Sequence, residues 1–102
     1  MTVGISISHG VPSTRSALTI ANLGKHLAHV LSGSEWREVA HLFDGRLYTP
    51  VYTPPQQAGR IAALLRKAAA SRAMGPEWAQ LAHLLGGAAD RAARAGQDWV
   101  WD

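Results

Sequence analysis

From Val3 the chain alternates: Val3, Ile5 and Ile7 stand between Gly4, Ser6 and Ser8. That is the two-residue period of a strand with one buried face and very small residues on the other. The period returns in RLYTPVYT, where Leu47, Thr49 and Val51 share one face and Tyr48, Pro50 and Tyr52 the other. Pro50 brings no N–H to a ladder, so this strand belongs at an edge or carries a bulge. A third alternation, DWVWD, sets Trp99 and Trp101 on one side of Val100 and suits a short closing strand.

Between the strands the period changes to that of a helix. At 100° per residue, Ile20, Leu23, Leu27, Val30 and Leu31 fall in one arc, opposite Arg15, Thr19, Asn22, Lys25, His26 and His29. Ser13, after Pro12, is the expected opening of this first helix. A second helix is expected from Gly33-Ser34-Glu35 to Gly45, and a fourth from Gly75-Pro76-Glu77, with each Glu in the first turn where the helix dipole favours a carboxylate. The third has Thr53 as its capping hydroxyl, proline at its first position and Gln56 at its third, and presents Ile61, Leu64, Leu65 and Ala68. The fourth presents Trp78, Leu81, Ala82, Leu85 and Ala89, and its pattern continues past Gly86 and Gly87 to Gly96.

An internal repeat orders these elements. SEWREVAHLFDG at 34–45 recurs as PEWAQLAHLLGG at 76–87, and TIANLGKHL from Thr19 resembles RIAALLRKA from Arg60 with one residue inserted. The expected fold is therefore α+β within a single domain, 1–102. Two tandem strand-helix-helix units, about 1–45 and 46–96, precede a closing strand at 97–102, and four helices pack on one face of a small sheet.

Composition adds limits rather than an activity. A chain of 102 residues supports one core. It has no Cys, which excludes disulfides and thiol nucleophiles. No apolar run reaches the length of a membrane span, and the N-terminus lacks the pattern of a secretory signal, so a cytoplasmic location is expected. The formal charge of +3 is spread along the chain. With 18 alanines and Arg outnumbering Lys, it reads as GC-rich coding rather than as a basic tail.

Four constellations could carry function. Tyr48, Tyr52, Trp99 and Trp101 would gather large rings on one sheet face or edge, either as a protein contact or as closure of the core. Arg60, Arg66 and Lys67 give the third helix a basic side that could follow a phosphate backbone, or simply a solvated face. His26 and His29 share a helix side and, with His9, could hold a metal, although an Ala-rich helix also places His in solvent. His41 and His83 occupy equivalent repeat positions, where duplication alone accounts for them.

Two further sets have simpler structural readings. Glu35-Trp36 and Glu77-Trp78 could flank a sugar cleft, but a first-turn carboxylate beside a core-anchoring indole explains both pairs. Ser6, Ser8, His9, Gly10, Ser13 and Thr14 form a small-residue junction without the glycine spacing of a phosphate loop.

GISISHG, the LGKHLAHVLS helix, the EW-to-AHL repeat and the closing AARAGQDWVWD together resemble a family of small uncharacterised proteins from actinobacteria of the Streptomyces type. The resemblance spans nearly the whole chain and implies a free-standing domain of unknown function. It rests on strand and helix signatures, so it transfers no functional residue.

The leading expectation is a non-enzymatic, homodimeric protein-interaction module built on Tyr48, Tyr52, Trp99 and Trp101, with no cofactor. A small nucleic-acid-associated regulator using Arg60, Arg66 and Lys67 is the first alternative. A small enzyme or metal or ligand binder using His9, His26 and His29 is the second.

Overall fold

A computed structural model describes residues 4–43 and 50–102. Its elements are β1 (Gly4–Ile5), β2 (Arg15–Ser16), α1 (Ala17–Val30), α2 (Gly33–Phe43), β3 (Val51–Thr53), α3 (Pro55–Ala69), a 3-10 turn (Arg72–Met74), α4 (Pro76–Ala95) and β4 (Trp99–Trp101). The mixed α+β class follows, with helix dominating. No helix among the described residues is long and apolar enough to cross a membrane.

The strands form two small antiparallel ladders, β1 with β2 and β3 with β4, where a single sheet was expected. Residues 6–8, just after β1, run antiparallel beside the β4 segment and tie the two ladders together. Ser6 N–H donates to Asp102 O at 3.2 Å, Asp102 N–H to Ser6 O at 2.8 Å and Ser8 N–H to Val100 O at 2.9 Å, around a bridge between Ile7 and Trp101. The alternation read from the sequence holds here: Ile5 and Ile7 are buried, while Gly4 and Ser6 are exposed.

Two helix starts differ from expectation. The first helix opens at Ser16 rather than Ser13, and the Ser16 hydroxyl accepts from Thr19 N–H at 3.1 Å. Ser13 has φ 57° and lies in the loop between β1 and β2, so it cannot lead the chain into a helix from an extended cap conformation. Arg15, expected on the helix face, stands in β2 opposite Ile5. In α3 the cap position is Pro54, with no side-chain cap bond. Thr53 is instead the last residue of β3, and its hydroxyl is buried without a partner among the described residues.

At α2 the N-terminus closes as a reciprocal capping box. Glu35 N–H donates to Ser32 Oγ at 3.2 Å, and Ser32 N–H to Glu35 Oε1 at 2.9 Å. Helix α4 runs unbroken through Gly86 and Gly87 and ends on Gly96, whose φ of 65° is the left-handed cap that glycine accepts without strain.

Helices α3 and α4 form an antiparallel hairpin with small residues at its seam. A Cβ on Gly86 would lie 3.3 Å from Leu65 Cβ, and one on Gly59 would lie 3.6 Å from Ala93 Cβ. Around this hairpin the core gathers Ile20, Leu23, Leu27, Val39, Leu42, Ile61, Leu65, Met74 and Leu85 with Trp99 and Trp101. The α1–α2 pair closes more locally: a Cβ on Gly24 would stand 2.7 Å from both Cβ and O of Phe43.

Candidate functional site

In the β3–β4 ladder Val51 faces Trp101, Tyr52 faces Val100 and Thr53 faces Trp99. Opposed residues share a sheet face, so both indoles point the same way and Tyr52 points the other. Trp99 is 0% exposed, Trp101 1% and Tyr52 63%. The aromatic set expected at one contact is therefore divided. Trp99 and Trp101 are core residues, packed edge to face at 5.2 Å, and Trp101 meets Phe43 in the same way at 5.5 Å. Their removal from solvent follows from register, which brings them over the helices. Tyr52 is left outside, between the exposed Pro50 and Pro54. Tyr48 lies outside the described residues.

The three cations proposed for a phosphate backbone each meet a carboxylate. Arg60 Nε lies 2.6 Å from Glu38 Oε1, Lys67 Nζ 2.6 Å from Glu35 Oε2 and Arg66 Nη2 3.4 Å from Asp90 Oδ2. Asp90 also takes Arg94 at 2.8 Å. These pairs clip α3 to α2 and α4, and the two on α2 lower their acids. The hydrogen bond from Lys67, helped by Ser32 N–H, lowers Glu35 from 4.5 to about 2. Arg60 likewise holds Glu38 below the usual carboxylate range and is itself raised.

The histidines do not converge. His26 is half-buried and stacks on Trp78, while His29 is exposed. His9 belongs to the loop after β1. His41 and His83 are both exposed, and His83 borders an open groove with Arg66, Ala69, Ala70, Ala79 and Gln80. Among the described residues no group of three or more His, Cys, Asp or Glu is placed to hold a metal.

The loop after β1 contains an arrangement that sequence spacing did not reveal. The Ser8 hydroxyl lies 2.8 Å from His9 Nδ1, and His9 Nε2 lies 2.8 Å from Gln97 Oε1. In the tautomer with the ring proton on Nε2, that nitrogen donates to the Gln97 amide oxygen and Nδ1 accepts from Ser8. Ser8 Oγ in turn accepts from Val100 N–H at 2.9 Å. The loop is held from two sides, since Arg91 Nε donates to His9 O at 2.8 Å and Trp99 Nε1 to Ser8 O at 3.3 Å. The Ser-His dipeptide before Gly10 was the visible half of this set. Gln97 stands 88 residues further on, so only folding brings it in.

Residues 9–102 match the family described as Domain of unknown function (DUF7739). No curated protein and no solved structure matches the chain.

Proposed function

We propose that the chain, which belongs to this family of unknown function, is a protein-interaction module whose contact centres on Tyr52. The single observation behind this reading is the 63% exposure of a tyrosine ring on β3, the outer strand of the described β3–β4 ladder. Tyrosine offers a large, stiff contact surface with one polar tip, and ordering it forfeits little conformational entropy. Pro50 and Pro54 bracket the strand and remove two N–H donors from its edge. A partner therefore meets side chains here more than a long row of free backbone groups.

A second copy of the chain is the partner proposed first, because a side-chain patch placed beside a twofold axis meets its own copy and is complementary to itself. The setting is the cytoplasm of a GC-rich actinobacterium, in line with the composition. The pairing of Arg60, Arg66 and Lys67 with carboxylates favours this contact over a nucleic-acid one, since the neighbouring acids offset the positive charge that a phosphate backbone would meet on that face.

Light scattering across a concentration series tests the reading. Wild-type protein should reach dimer mass and keep it in high salt, and Tyr52→Asp should stay monomeric with an unchanged melting temperature. A monomer at every concentration would exclude self-association. A Tyr52→Asp protein that still dimerises would place the contact elsewhere.

A further inference from the structure

Adjacent side chains on an extended strand point to opposite faces, so a serine and the histidine after it do not normally meet. Here they do, because His9 has φ 67° and Gly10 follows with φ 98°. A left-handed histidine is an uncommon and unfavourable backbone state. What it delivers is the imidazole turned back onto Ser8, with its far nitrogen on Gln97.

We propose that Ser8, His9 and Gln97 form a nucleophile, its general base and the group that orients that base, and that Ser8 takes the acyl group of a small ester. The three residues show the two contacts that activate a serine: nucleophile to base within hydrogen-bond reach, and base to a third group on its other nitrogen. In the step, Ser8 Oγ bonds to the ester carbonyl carbon as its proton passes to His9 Nδ1. The carbon–oxygen bond to the leaving alcohol then breaks, and the alkoxide takes that proton from His9. A water then passes a proton to the same nitrogen as its oxygen bonds to the acyl carbon; the bond to Ser8 Oγ breaks, Oγ takes that proton back from His9, and the acid is released. Val100 N–H, already donated to Ser8 Oγ, holds that oxygen in place for attack. Gln97 is a positioning residue: by accepting from Nε2 it keeps the proton there and leaves Nδ1 free. This assignment is independent of the contact at Tyr52.

The full-length chain treated with a fluorophosphonate probe gives the test, with the adduct located by mass spectrometry. Ser8 Oγ displaces fluoride from phosphorus and its proton goes to His9. The exposed Ser6 and Ser13 serve as internal references in the same segment. Ser8 should label about 100-fold faster than either, the scale of general-base assistance. His9→Asn, chosen because Asn tolerates a left-handed backbone, should remove that advantage. Gln97→Glu should increase Ser8 labelling roughly tenfold or more, because a carboxylate only accepts and also stabilises the imidazolium. A merely structural bond predicts no such gain. Acetylation of Ser8 by p-nitrophenyl acetate is the matching acyl result. Ser8 labelling no faster than Ser6 and Ser13, no gain with Gln97→Glu, or acetylation confined to lysines would each overturn the proposal.

Discussion

The imidazole of His26 lies against the indole of Trp78, ring centroids 4.9 Å apart and planes 26° from parallel. One ring comes from α1 and the other from the first turn of α4, so the stack joins the first half of the chain to the second. Aromatic pairs of this kind contribute roughly 0.5–1.5 kcal/mol beyond their buried area. His26→Ala should therefore lower stability by about 1 kcal/mol and alter the emission of Trp78. His29→Ala, at an exposed position on the same helix, should do neither; chemical denaturation followed by fluorescence compares the two.

Gly24 stands where α1 meets the end of α2. Alanine usually improves a helix interior by about 1 kcal/mol over glycine. Here its methyl would enter within 2.7 Å of Phe43, whose side chain is buried. Overpacking of that kind typically costs about 1–3 kcal/mol, so Gly24→Ala should come out destabilising. Gly33→Ala provides the contrast, because a Cβ there meets nothing within 4 Å. Thermal melts of the two variants should move in opposite directions, or leave Gly33→Ala unchanged.

Trp99 and Trp101 are core side chains, and each is expected to lose about 3 kcal/mol or more on truncation to Ser. Tyr52→Ser should stay within about 0.5 kcal/mol of wild type, as exposed positions do. Urea titration of the three variants separates core rings from the surface ring. A mild Trp101→Ser would contradict the packing of Trp101 on Phe43.

Among the described residues the buried Thr53 hydroxyl has no hydrogen-bond partner. Valine has the same shape and nothing to desolvate. Removing an unsatisfied polar group avoids a penalty of roughly 1–3 kcal/mol, so Thr53→Val should be neutral or stabilising. A clear fall in melting temperature would show that the hydroxyl has a partner in solution.

Glu35 links acid stability to the α2–α3 junction. Its value falls from 4.5 to about 2 on folding, through Lys67 first and Ser32 second. A carboxyl that binds protons less readily when folded adds stability above its unfolded value and loses it as pH drops through its folded value. The contribution is thus complete above pH 4.5 and fades toward pH 2. Glu35→Gln should flatten the stability curve across that window, and melting temperatures measured at intervals through it are the check. A variant curve parallel to wild type would remove Glu35 from the acid response.

Much of the local structure was written in short-range pattern. The alternation through Ile5 and Ile7, the α1 face from Ile20 to Leu27 and the Gly96 stop each follow from the geometry of a few neighbouring residues. Local steric preference and periodic burial determine such features before any distant part of the chain arrives. Where two local signals competed, the nearer one could mislead: Ser13 looked like a cap, but β2 had to pair with β1 before α1 could begin.

Everything that distinguishes a surface residue from a core residue, or a free cation from a paired one, waited on tertiary structure. The register of β3 against β4 sent Trp99 and Trp101 inward and Tyr52 outward. Packing of α3 between α2 and α4 gave Arg60, Lys67 and Arg66 their carboxylates, and closure of the chain ends put Gln97 on His9. These are pairings between residues 22 to 88 positions apart. No local propensity encodes such distances, because they are set by how whole elements dock.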